Sequence, residues 1–253
     1  MGLGAWARRH RAAMAGNLAL LLAAGAVVTY AVTAEGYQAH DARLNDGGIW
    51  VTNSRDGYFG RVNKPIGQLD GALFARLDAD LDIVQDGSSV VGVDLSTGLV
   101  KPIDPATVQH PEGEEAGIPG AAGVGLAGDT LAVVDPVSGK VWAERVDPSF
   151  GSLTVSQVDS GSSPVATVGK DASLAVTQSG DVLVVSAADD TLTRLAATDF
   201  GFEKAQTDDL PGDLTTGTQV TAVGDTAVVS TSEASWNSIP SAMYRASWSR
   251  TCS

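Results

Sequence analysis

The chain of 253 residues holds one cysteine, Cys252, three histidines, and 16 basic residues against 30 acidic ones. A single cysteine excludes an internal disulfide and every multi-cysteine metal site. The shortage of positive charge, net −14, excludes nucleic acid as a partner, because a phosphate backbone needs clustered Lys and Arg. Aromatics are only 6%, and no segment beyond Glu35 repeats its apolar residues at helical spacing. An apolar fraction of 43% still suffices for a folded core and argues against disorder.

One long uncharged run is present. Arg8, Arg9 and Arg11 precede Ala12–Ala34, and the next charge is Glu35. A helix of that length spans about 34 Å, slightly more than a hydrocarbon core of about 30 Å. Arginines on its N-terminal side place residues 1–11 in the cytoplasm as a basic stub. Residues 12–34 are then a single-pass transmembrane helix or signal anchor, and the rest of the chain is extracytoplasmic. Thirteen basic residues and all 30 carboxylates lie outside. Val32-Thr33-Ala34 leaves open a cleaved signal peptide and a secreted product.

Residues 35–229 carry an internal repeat. Val51-Thr-Asn-Ser-Arg-Asp-Gly57, Val93-Asp-Leu-Ser-Thr-Gly98, Val134-Asp-Pro-Val-Ser-Gly139 and Val176-Thr-Gln-Ser-Gly180 put turn glycines 41 residues apart in all three intervals. A second turn precedes each: Asp46-Gly47, Asp86-Gly87, Gly128-Asp129 and Gly169-Lys170. The runs between and after these turns, such as Leu131-Ala-Val-Val134, are β-branched and apolar, as half-buried strands require. A fifth unit begins at Gln219 and echoes Gly125–Val134 as far as Val229. The pattern predicts an all-β fold, an incomplete β-propeller-like array of about four to five antiparallel blades of 41 residues, with a β-sandwich or irregular hairpins as the alternative. Residues 230–253 break the pattern: eight of these 24 are serine, and Trp236, Trp248 and Cys252 fall here. They read as an atypical tail, such as a frameshifted reading frame leaves, or as a genuine polar extension.

Trp6-Ala-Arg-Arg-His-Arg11, Val28-Thr-Tyr-Ala-Val32, Ala34-Glu-Gly-Tyr37, Leu44–Val51, Gly60–Ile66, Leu81–Gly87 and Pro164–Gly169 together resemble the N-terminal region of large actinobacterial membrane proteins. That resemblance covers roughly residues 1–229 and implies a propeller-like exported region followed by fibronectin type III or other Ig-like modules. This chain ends within its fifth repeat, before such modules. The resemblance transfers no catalytic residue.

Motifs with chemistry are few. Gly123-Val-Gly125-Leu-Ala-Gly128 matches a dinucleotide fingerprint in form, but a Pro/Gly loop precedes it and a β-run follows it, so it reads as turn chemistry. Asp78, Asp80 and Asp82 have the spacing that opens a calcium loop. Ile83 stands where the bend needs glycine, and Ser89 where a bidentate glutamate belongs. A looser metal site at these three carboxylates is weighed against a solvated acidic loop, and the same solvated reading serves Glu112, Glu114 and Glu115 beside His110. His40 and His110 have no partner at ligand spacing, and Trp50 and Trp142 read as packing residues. No catalytic residue, cofactor or metal site is assigned. The expected function is a membrane-anchored extracytoplasmic scaffold or interaction protein of the cell envelope, with an envelope protein or polysaccharide as partner. Two alternatives stand beside it. Ile49–Asn53 with Gly60–Val62 looks like a blade motif of streptogramin lyase-like and quinoprotein-like propeller enzymes, and a nonfunctional truncated fragment is the other reading.

Overall fold

The computed structural model describes residues 48–120, 122–146, 153–211 and 214–231, with the backbone of 243–247. The basic stub, the span 12–34, the Asp46-Gly47 turn and most of the tail lie outside the described residues. Among the described residues no helix is long and apolar enough to cross a membrane.

Short valine-rich runs bounded by turn residues are too short for buried helices, and they form antiparallel strands instead. The strands gather into five successive sheets, each a meander. Sheet 1 holds β1 (Gly48–Asn53), β2 (Tyr58–Asn63) and β3 (Gln68–Phe74). Sheet 2 holds β4 (Leu81–Asp86), β5 (Ser89–Asp94), β6 (Leu99–Ile103) and β7 (Ala116–Gly117). Sheet 3 holds β8 (Gly123–Ala127), β9 (Thr130–Val134), β10 (Lys140–Arg145) and β11 (Ala166–Thr167). In sheet 4, β12 (Ala172–Val176), β13 (Val182–Ser186) and β14 (Thr191–Leu195) are followed by a separate hairpin, β15 (Ala197–Thr198) and β16 (Gly201–Phe202). The fourth strand of that sheet, β17 (Gln206–Asp209), comes after the hairpin. Sheet 5 holds β18 (Gln219–Val223), β19 (Thr226–Ser230) and β20 (Met243–Ser247), so a stretch of the serine-rich tail pairs in register with β19.

The turn glycines explain why the sheets repeat. Gly57, Gly98 and Gly139 have φ of 73°, 66° and 69°, a region that disfavours any residue with a Cβ. Each offers its carbonyl to the residue that follows the last strand of its sheet: Ala75, Ile118 and Val168 donate their N–H to Gly57, Gly98 and Gly139, all at 2.8 Å. This shared bond makes β1, β2 and β3 the counterparts of β5, β6 and β7. The turns are tied from within by side chains. The Asp94 carboxylate accepts from the N–H of Ser96 at 3.0 Å and of Thr97 at 3.2 Å, Asp135 accepts from Val137 N–H at 3.0 Å, and Asn53 accepts from Asp56 N–H at 3.1 Å.

The fourth glycine departs from the expected register. Strands β1, β5 and β9 begin at Gly48, Ser89 and Thr130, evenly spaced by one repeat, but β13 begins at Val182, well past Asp171, where the same spacing would start it. Gly180 therefore lies in the turn between the first two strands of sheet 4, not the turn between its second and third. Gly169-Lys170 lies between two sheets and joins no pair of strands within one. The slip arises in sheet 3, where a long excursion separates Arg145 from Ala166 and includes a 3-10 turn at Ser156–Val158.

Alternation along the strands builds the core. Leu131, Val133 and Trp142 of sheet 3 face Val91, Val93 and Val100 of sheet 2, while Ala132, Val134, Val141 and Ala143 face Val182 and Val184 of sheet 4. Leu183, Val185 and Leu192 face Val220, Ala227 and Val229 of sheet 5, and Trp50 and Phe59 of sheet 1 meet Leu81, Val90 and Ile103 of sheet 2. The first strands β4, β8, β12 and β18 adjoin in succession. The result is an all-β, propeller-like array of face-packed antiparallel sheets.

Candidate functional site

A polar cleft of about 600 Å³ lies where the β15–β16 hairpin stands beside sheet 3. Its apolar floor comes from Ala143, Val146 and Val165, and its charged wall from Asp129, Arg145, Asp199 and Glu203. Three carboxylates against one guanidinium give it the acidic character of the whole chain.

Arg145 is fixed before any ligand arrives. Its Nη1 donates to Gly128 O at 2.8 Å and to Thr130 Oγ1 at 2.6 Å, and buried Thr130 Oγ1 in turn donates to Gly180 O at 2.8 Å. The turns carrying Gly128 and Gly180 thus hold the guanidinium in the cleft wall. Across the cleft, the hairpin is anchored by Asp181, 2% exposed. Its carboxylate accepts from Ala197 N–H at 2.8 Å, at the start of β15, and from Arg194 Nε at 3.0 Å. Glu203 N–H closes the far end onto Ala196 O at 2.8 Å. Between Thr198 and Gly201, which pair directly, the two-residue tip is Asp199-Phe200, and Phe200 is wholly exposed. The hairpin thus presents a fully solvated aromatic ring above a base clamped by the Asp181–Arg194 ion pair.

Two smaller hollows accompany it. One of about 260 Å³ lies between sheets 1 and 2, walled by Phe59, Gly92, Leu99, Lys101 and His110. Burial lowers the His110 pKa and outweighs the opposing hydrogen bond to Pro102, so the neutral ring is favoured. Its Nδ1 donates to Pro102 O at 2.7 Å, because a carbonyl can only accept. Another hollow, about 340 Å³, lies at the first strands, between Gly123-Val124, Asp171–Leu174 and Thr216–Gln219.

Asp78, Asp80 and Asp82 all sit at the entry to β4, with Asp78 at φ 51°. Asp82 Oδ1 accepts from the N–H of Ile83 at 2.8 Å, and Asp80 N–H points to Ser96 Oγ at 3.4 Å. Among the described residues no group of three or more His, Cys, Asp or Glu is placed to hold a metal ion, these three included. Glu115 pairs with Lys101 at 2.7 Å, while Trp50 and Trp142 are buried in the sheet interfaces. The residues around the hairpin went unassigned in the sequence, where Asp199-Phe200-Gly201 carries no signal beyond a turn glycine after an acidic residue.

No family model matches the chain, and no curated protein matches it. Solved structures do. Dihydro-heme d1 dehydrogenase NirN, solved in complex with DHE, is 12% identical with a TM-score of 0.54 over 77% of this chain and 41% of that one. Hsv2 of Kluyveromyces lactis is 11% identical with a TM-score of 0.54 over 73% and 55%. A protein of unknown function from Desulfotomaculum acetoxidans is 16% identical with a TM-score of 0.50 over 72% and 58%. At these identities the likeness is one of fold, and the chain spans only about half the length of the structures it matches.

Proposed function

We propose that the chain is a membrane-anchored, extracytoplasmic interaction protein of the cell envelope whose propeller-like sheets form a rigid scaffold for the hairpin cleft. Residues 12–34 hold it in the membrane with its N-terminus inside, and fibronectin-like modules belong to the longer proteins it resembles. The observation that supports binding is Phe200, fully exposed on a hairpin whose base is locked by Asp181, beside a cleft of about 600 Å³. Loops raised on a rigid β scaffold carry recognition more often than the scaffold does. The partner is an envelope protein or polysaccharide that covers the ring.

Two measurements test this with the full chain. Cys252 is the sole cysteine, so a membrane-impermeant maleimide reports its side of the membrane. Labelling in intact cells is expected, and labelling only after permeabilisation overturns the topology. Sedimentation of the chain with purified envelope material, before and after protease treatment of that material, tests the cleft. Phe200→Ser is expected to weaken retention at least tenfold with unfolding unchanged. Equal retention of the two proteins refutes the assignment.

A further inference from the structure

The interface between sheets 1 and 2 is filled differently from the one that follows it, and the register shows where. In sheet 3, Val133 pairs with Trp142, and both side chains pack against sheet 2. One repeat earlier, at the same place in sheet 2, Gly92 pairs with Lys101 on the face turned to sheet 1. Glycine stands there in place of valine, and lysine in place of tryptophan.

Sheet 1 returns only part of the missing volume. Phe59 takes the position that Val100 holds one repeat on, and the tip of its ring meets Gly92, where a Cβ would lie 2.8 Å from Cζ. Lys101 does not fold into the gap, because its Nζ runs out to Glu115 Oε2 at 2.7 Å. What remains is the hollow of about 260 Å³, with Phe59, Phe74, Ala75 and Leu99 as its apolar walls.

One polar group in the wall has bonding capacity to spare. Burial favours the neutral His110 ring, and its Nδ1–H is committed to Pro102 O at 2.7 Å, so Nε2 is the nitrogen that carries a lone pair. Among the described residues nothing bonds to Nε2. Phe59 steadies the ring edge to face, with centroids 6.4 Å apart. The rim is balanced in charge: Arg76 lies 3.7 Å from Asp94, and Lys101 is paired with Glu115.

We propose that this hollow binds a neutral aromatic molecule of two fused rings whose hydroxyl or N–H donates to His110 Nε2. Size sets the number of rings. An apolar cavity of about 150 Å³ takes one benzene, and this hollow has room for the second ring that Trp142 supplies one interface on. The paired rim offers a charged ligand no unmatched partner, and the Nε2 lone pair calls for a donor. The site is separate from the hairpin cleft, which lies against sheet 3.

The test is equilibrium dialysis of 2-naphthol into the full chain, with protein-free micelles of the same detergent in the opposite chamber. One molecule per chain is expected to bind below about 1 mM, and uptake that does not saturate overturns the proposal. Naphthalene, which lacks the hydroxyl, is expected to bind about tenfold more weakly, and equal binding overturns the role given to His110. Lys101→Trp, which restores the side chain of the next repeat, is expected to abolish uptake with Tm no lower than that of the unaltered chain. Unchanged uptake in that variant overturns the location. If Lys101→Trp unfolds, nitrogen-15 spectra of the unaltered chain, labelled at its three histidines, decide the matter. One ring-nitrogen signal is expected to move with 2-naphthol and none with naphthalene, and three unmoved signals overturn the proposal.

Discussion

Replacing Gly139 with alanine measures how far the repeat depends on its turn carbonyl, and Gly87 supplies the internal control. Both glycines have positive φ, 69° and 59°, so either alanine bears a backbone cost of about 1–2 kcal/mol. Nothing lies within 4 Å of a Cβ built on Gly87, so that variant should lose this backbone cost of about 1–2 kcal/mol and no more. A Cβ on Gly139 would overlap the carbonyl oxygens of Val168 and Gly169, which are backbone atoms and cannot swing aside. Relieving that overlap means breaking the bond from Val168 N–H to Gly139 O, worth about 1 kcal/mol, and shifting β11 away from β10. With the backbone cost, the total is about 3 kcal/mol. For a domain of this size about 1 kcal/mol moves Tm by about 2–4 °C. Gly139→Ala should then lower Tm by about 6–12 °C and Gly87→Ala by less, about 2–8 °C. The assay is thermal unfolding of the full chain followed by far-UV circular dichroism. Equal shifts in the two variants would refute the claim that the glycine is retained for the close approach of the last strand.

Other perturbations address the anchor, the turns and the core. Asp181→Asn leaves Arg194 beside a neutral amide in a nearly dry site and should cost about 3 kcal/mol, with proteolytic nicking at Asp199-Phe200 appearing before global unfolding. Burial of the Asp94 and Asp135 carboxyls opposes their ionisation, but hydrogen bonds from Ser96 and Thr97 and from Val137 and Ser138 outweigh it and lower both pKa values. Lowered folded pKa values mean stability that is present above about pH 4 and lost as pH falls through the depressed values. Double substitution to Asn should therefore lower the urea midpoint at pH 7 toward its acid value and so flatten the acid limb of the titration. Leu183→Ala, at a side chain 1% exposed between sheets 4 and 5, should cost about 2–5 kcal/mol by urea denaturation.

The repeat was legible because its cause is local. Asp94-Leu-Ser-Thr-Gly98 and Asp135-Pro-Val-Ser-Gly139 each contain the whole turn, the carboxylate that ties it and the glycine that takes positive φ, so spacing alone locates the strands on either side. The fourth unit misled for the same reason. Val176-Thr-Gln-Ser-Gly180 is a good turn, with Thr177 Oγ1 accepting from Asp181 N–H at 3.0 Å, but a good turn carries no record of which pair of strands it joins. What displaced it is the excursion between β10 and β11. There Glu144, only 6% exposed, accepts from Gln157 N–H at 3.1 Å and Thr154 Oγ1 donates to it, pinning an insertion that the regular repeat does not contain.

The hairpin tip and the outer face of sheet 1 differ in what the sequence discloses. Phe200 is invisible in advance because its meaning comes from Asp181, far back in the chain, which reaches the first residue of β15 only once sheet 4 has formed. The apolar face of sheet 1 is another matter. A strand shows alternate residues to opposite sides, so Ile49-Trp50-Val51 must place apolar groups on both. Val182-Leu-Val-Val185 makes the same demand and meets it within the chain, with Val182 and Val184 against sheet 3 and Leu183 and Val185 against sheet 5. Trp50 is met by sheet 2, whereas no described residue covers Ile49 and Val51. A two-sided apolar strand that buries one side only among the described residues is an incomplete interface.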